Sequence, residues 1–255
     1  MWLRASHATE DEVMKGLPTG WTAGVVLLAG LWPALDAAAR IDEPDVEADC
    51  GKIGQYANAG QAAYQQGDFA KAREIFRDQV AWSEFCRQPR DATVTAYNNI
   101  ALSYLRQGMW LKARAWLQLA PDDDKSRYNL GLMQAQLDAL PPPRGPAGEY
   151  WQYAGYGTWN TLLVKPQGQR YQIEYTGLYM GPMALYYGPN LGEFSTVTAI
   201  EGGHALYQQT ADSDFGSACD ISMAFSDQQV TLSTRGDCGF GHNVRAQGSY
   251  WRVTP

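Results

Sequence analysis

With 255 residues, 45% of them hydrophobic and 18% charged, the chain is long enough to bury a core and suggests about one or two domains. Its net charge of −7 is spread unevenly: residues 40–146 carry 13 Lys+Arg against 14 Asp+Glu, net −1, and residues 147–255 carry 5 against 9, net −4. The second half, with so few cations, has no electrostatic means of gripping a phosphate backbone, so nucleic acid is not expected as a partner.

Trp21 to Leu35 is an apolar run, preceded by Lys15 and followed by Asp36-Ala37-Ala38-Ala39. It is shorter than the ~20 residues that cross a bilayer, and Ala37 and Ala39 fit a small-x-small cleavage site. Residues 1–39 therefore read as a secretory signal peptide, with an uncleaved anchor as the alternative. Met1 to Val13 is acidic and unlike a positively charged leader, so the expected translation start is Met14. The expected location is the periplasm, with no stable membrane insertion after cleavage.

Four cysteines in an exported chain point to two disulfides. Cys50 lies 17 residues before the turn glycine Gly67 and Cys86 lies 19 after it, so an antiparallel helical hairpin brings them together. Cys219 and Cys238 similarly flank a strand, a turn at 226–229 and a strand. The expected pairs are Cys50 with Cys86 and Cys219 with Cys238. Metal binding is the rival reading, but there is no C-x-x-C spacing and there are 3 histidines in the whole chain, so neither metal nor cofactor is expected.

Arg40 to Asp49 is an acidic lead-in. Helical periodicity then predicts helices at about 50–66, 68–85, 92–107 and 109–119. Asp122-Asp123-Asp124 supplies an N-cap and negative first turn for a fifth, at about 125–140. Pro141 to Pro146 cannot continue a helix and reads as a stiff linker over 141–148. Beyond it, alternation predicts strands at 158–165, 170–176, 183–187, 193–200, 204–209, 218–225, 229–234 and 249–253, joined by short turns. The expected fold is α+β in two domains, a helical domain at 40–140 and an antiparallel β meander at 149–255, closed as a small barrel or a sandwich.

The stretches Gly60-Gln-Ala-Ala-Tyr64-Gln-Gln-Gly67-Asp68-Phe69-Ala-Lys-Ala72 and Ala101-Leu-Ser-Tyr104-Leu-Arg-Gln-Gly108-Met-Trp110-Leu-Lys-Ala113 resemble the tetratricopeptide repeat over two helical hairpins. Tyr128-Asn-Leu-Gly131 resembles the start of a third repeat with no second helix. The resemblance implies a protein-binding scaffold, with a concave face around Tyr56, Tyr64, Tyr97 and Tyr104.

Cys238-Gly-Phe240-Gly-His242-Asn-Val244-Arg-Ala-Gln-Gly248-Ser-Tyr250 resembles the last strand pair of exported bacterial β domains found in lysozyme inhibitors and in immunity proteins against peptidoglycan hydrolases. This implies inhibition of a cell-wall hydrolase, as immunity to a secreted, type VI-like effector or as a lysozyme inhibitor. Gly239 and Gly241 turn the backbone beside the disulfide and leave His242, Asn243 and Arg245 as partner-binding donors. The alternatives are that the motif only closes the β domain, or that the repeats form a scaffold in envelope assembly. No nucleophile elbow, metal-ligand pair or phosphate loop appears, so no catalytic residue and no enzyme is expected. The aromatics Tyr150, Trp151, Tyr153, Tyr156 and Trp159 read as core and sheet face before they read as a ligand platform.

Overall fold

The computed structural model describes residues 44–211 and 217–255. The signal peptide, its cleavage site and the Met14 start lie outside the described residues. The helical part holds α1 (Val46–Cys50), α2 (Ile53–Gln65), α3 (Phe69–Phe85), α4 (Arg90–Leu105), α5 (Trp110–Leu117) and α6 (Asp124–Asp138). Asp68 caps α3 by accepting from the Lys71 amide at 3.1 Å, and Asp123 caps α6 by accepting from Lys125 at 2.9 Å. Gly67 and Gly108, at φ +80° and +70°, supply the left-handed residue that ends one helix and starts the next. Two antiparallel hairpins result, α2 with α3 and α4 with α5. The short α1 was not expected, because five residues are too few to carry periodicity.

The first hairpin closes tightly at Gly60, where an added Cβ would lie 2.4 Å from the Phe76 ring. The lone α6 is tied to α4 by a buried polar chain. The Asn129 amide donates to the Asn98 side-chain oxygen at 2.7 Å, and Asn98 donates to Ser126 at 3.1 Å.

Eight strands follow: β1 (Gly148–Gly155), β2 (Thr158–Gln167), β3 (Arg170–Tyr179), β4 (Asn190–Thr198), β5 (His204–Gln209), β6 (Cys219–Phe225), β7 (Gln229–Gly236) and β8 (Gly248–Arg252), with a short helix α7 (Ala184–Tyr187) before β4. They form one antiparallel sheet in the order β4-β3-β2-β1-β8-β7-β6-β5. It is a curled, barrel-like sheet rather than a sandwich. Its two edge strands share no ladder but are bridged by the stacked rings of Phe194 and Tyr207, 4.5 Å apart. Alternate residues, among them Tyr150, Leu162, Ile173, Tyr175, Ile221, Met223, Val230 and Tyr250, are fully buried in the interior, as the period of two requires.

Two elements differ from the expected strands. Where a strand was expected at 183–187, Ala184–Tyr187 forms a helical turn, α7, ended by Gly188 at φ +84°. The unexpected β1 escapes an alternation test because both of its faces are covered. Tyr150 points into the sheet core, while Trp151 packs with the helices.

Glu43–Pro255 forms one compact unit. The outer face of β1 and β2 lies on α3, α4 and α5, and Trp151 and Val253 belong to the same buried cluster as Phe76, Ile100, Trp116 and Leu117. The proline stretch, expected as a stiff linker, is hydrogen-bonded to the sheet. Arg252 donates to the carbonyls of Gly145 and Ala147 at 2.6 and 2.7 Å, and the Tyr150 hydroxyl donates to that of Pro146 at 2.8 Å. These bonds pin the stretch against β1 and β8.

Candidate functional site

The segment between β7 and β8 is held from several sides. The disulfide to Cys219 fixes Cys238, with Cα atoms 4.8 Å apart. The Gly239 amide donates to the Asp237 carboxylate at 2.9 Å, the Gly241 amide to the Leu191 carbonyl at 2.8 Å, and the Val244 amide to the Gly241 carbonyl at 3.0 Å. The Asn190 side chain donates to the His242 carbonyl at 2.9 Å. From below, the hydroxyls of Tyr175 and Tyr250 donate to the carbonyls of Arg245 and Ala246 at 3.2 and 2.7 Å. Burial pushes the Tyr175 hydroxyl up to about 12 and the Tyr250 hydroxyl up as well, so both stay protonated donors.

Gly241 explains why the loop can approach β4 so closely. A Cβ there would stand 2.7 Å from the Leu191 carbonyl oxygen. Val244 and Ala246 point inward and are buried, while His242, Asn243 and Arg245 are exposed. Asn243 takes φ +62°, a left-handed conformation that Asn tolerates better than most residues. The three donors thus stand on one preorganised turn beside a cleft of about 370 Å³.

One neighbour of the loop, Leu191, was not anticipated from the sequence: it is 54% exposed, and its carbonyl accepts from the Gly241 amide. Tyr187, earlier in the same connection, is 70% exposed. Tyr186, the residue before Tyr187, is turned the other way. Its hydroxyl donates to Asp49 at 2.7 Å and its ring packs edge-on against Trp82 and Phe85. That anchoring leaves Tyr187 facing out. The signal available in the sequence was the turn Gly188-Pro-Asn-Leu191-Gly, which leads an apolar residue into the start of β4.

The four tyrosines expected on one helical binding face are not together on an open surface. Tyr104 is buried, with Arg73 over its ring at 4.5 Å and Trp151 edge-on at 6.3 Å. Tyr97 donates to Glu84 at 2.6 Å and packs against Trp116 and Tyr153. Burial, then Glu84, pushes its hydroxyl upward. The sheet's own aromatics occupy the face these residues line. Tyr56 and Tyr64 stay half-buried on α2, the latter edge-on to Phe69 at 5.2 Å.

Both expected disulfides are present, Cys50 with Cys86 at a Cα distance of 5.9 Å and Cys219 with Cys238. Among the described residues no group of His, Cys, Asp and Glu is arranged to hold a metal ion, and no helix is long and apolar enough to cross a membrane. No family model, curated protein or solved structure matches the chain.

Proposed function

We propose that the protein is an exported, periplasmic binding protein that inhibits a peptidoglycan hydrolase by inserting the loop at 239–245 into its cleft, as an immunity protein or a lysozyme inhibitor. The observation that carries this reading is the pairing of exposed donors with a backbone fixed by a disulfide and by bonds from β3, β4 and β8. Donors suit a cleft lined by catalytic carboxylates, where an acid would be repelled. A loop already held in its bound shape loses little entropy on docking. Leu191, exposed beside the loop, supplies an apolar anchor at its edge. Both disulfides fit an oxidising compartment. The envelope-scaffold reading needs an open helical groove, and Tyr97 and Tyr104 stand against the sheet instead.

The test is inhibition of a panel of muramidases and amidases by the purified protein. Replacing His242, Asn243 and Arg245 together with alanine should leave the circular dichroism unchanged. It should weaken inhibition at least tenfold, about 1.4 kcal/mol. A protein that inhibits neither enzyme class defeats the proposal. A folded triple variant as potent as the parent removes the loop from it.

A further inference from the structure

Among the described residues α6 packs on α4 and α5 and leaves its opposite face open. Ser126, Asn129 and Met133 are buried, whereas Tyr128, Gly131, Leu132 and Ala135 are exposed, Tyr128 at 68% and Leu132 at 53%. These four fall at i, i+3, i+4 and i+7 and so form one stripe. Among the described residues Gly131 has no steric purpose, since a Cβ there would meet nothing within 4 Å. Gly60 on α2 shows what such a position accommodates: the Phe76 ring of the next helix. Among the described residues no helix packs over Gly131.

We propose that this face pairs with α6 of a second copy of the chain, antiparallel, about a two-fold axis between Gly131 and Leu132. In that register Leu132 of each copy lies over Gly131 of the other, and Tyr128 lies over Ala135, large on small at every level. The flanks agree in charge. Arg127 and Asp138 lie on the same side of the stripe, and a two-fold keeps like flanks together. Arg127 of one copy then stands about 3 Å along the axis from Asp138 of the other, at 1.5 Å per residue. Within one copy Arg127 is held by the Asp122 carbonyl at 2.8 Å and the Asp124 carboxylate, and Asp138 accepts from Gln134 at 2.7 Å. These are exposed contacts that exchange at little cost. A single helix pair covers less than the ~800 Å² per partner of a standard interface, so the dimer is weak, with a Kd in the micromolar range or above.

Sedimentation equilibrium of the purified full chain, from about 1 μM to about 1 mM, reads this directly. The expected result is a reversible monomer–dimer equilibrium in which Leu132→Lys raises Kd at least tenfold. Arg127→Asp and Asp138→Arg should each weaken the dimer by placing like charges opposite one another, and the double exchange should restore it. All four variants change exposed side chains, and circular dichroism checks that each is folded. A chain monomeric throughout, a dimer indifferent to Leu132→Lys, or a double exchange no tighter than the singles overturns the proposal. A monomer whose α6 face is taken by residues 1–43 or by another protein counts among the first of these.

Discussion

Glu84, near the end of α3, accepts hydrogen bonds from the Tyr153 hydroxyl of β1 and from the Tyr156 amide of the turn that follows, the latter at 2.6 Å. With the Tyr97 hydroxyl at 2.6 Å, one carboxylate joins two helices to the sheet. Glu84→Ala leaves three half-buried donors without their acceptor and should cost about 2–4 kcal/mol. Glu84→Gln, which keeps one acceptor oxygen, should cost about half as much. Chemical denaturation followed by helical and by aromatic circular dichroism checks this. Because the halves share a core, both signals should shift together, and a shift in only one would break the argument.

Alkaline pH should unfold the protein cooperatively. Burial pushes Tyr150 and Tyr175 up to about 12, and drives Tyr97, Tyr153 and Tyr250 upward too, the carboxylate of Glu84 adding to the effect at Tyr97 and Tyr153. An unfolded tyrosine ionises near pH ~10. The unfolded chain therefore sheds these protons first, so their contribution is complete below pH ~10 and is lost as pH climbs toward ~12. Each such tyrosine removes about 1.4 kcal/mol per pH unit in that window. Tyrosinate absorbance should rise for these rings together with the loss of circular dichroism. Their ionisation in a still-native protein would contradict the burial argument.

The two disulfides should differ in their effects. Replacing the Cys50–Cys86 pair, which spans 36 residues, or the Cys219–Cys238 pair, which spans 19, with serine should each cost about 2–4 kcal/mol, more for the longer loop. Only the second pair fixes the loop carrying His242 and Asn243, so its loss should weaken hydrolase inhibition more at equal stability. Urea titrations give the first comparison and inhibition assays of the folded variants the second.

Alanine at two helix glycines should act with opposite signs. At Gly60 a new Cβ would press to 2.4 Å on Phe76, an overpacking worth about 1–3 kcal/mol of destabilisation. At Gly131 nothing lies within 4 Å, so alanine should stabilise the monomer by about 0.5–1 kcal/mol through helix propensity alone. Thermal melts at a concentration low enough to keep the chain monomeric decide it. Equal signs would mean that the environment of one of the two glycines has been misjudged.

Local chemistry was legible in the sequence, and surfaces created by tertiary packing were not. Gly67, Gly108 and Asp68 marked the hairpins because turn and cap preferences act over a few residues, and local cysteine spacing identified both disulfides. The exposed turn at His242 and Asn243 followed from its flanking glycines. By contrast, nothing in the spacing of Tyr97 and Tyr104 says that a sheet will cover them, since the covering residues Trp151, Tyr153 and Trp159 lie some fifty residues further along. The same burial hid β1.

The neighbour relation of β1 and β8 bears on the order of assembly. Tyr150 and Arg252 face each other in the ladder although 102 residues separate them. The sheet is thereby two meanders of local hairpins, β1–β4 and β5–β8, that become one through this pairing. Hairpins close quickly, whereas a contact over such a separation bears a larger loop entropy and forms late. The helices with β1–β4 can gather while the second meander, already stapled by Cys219–Cys238, forms by itself. Zipping β8 onto β1 would then be the slow step. In pulsed hydrogen exchange the amides of the β2–β3 and β6–β7 hairpins should gain protection before the Val253 amide, whose acceptor is the Glu149 carbonyl at 2.8 Å.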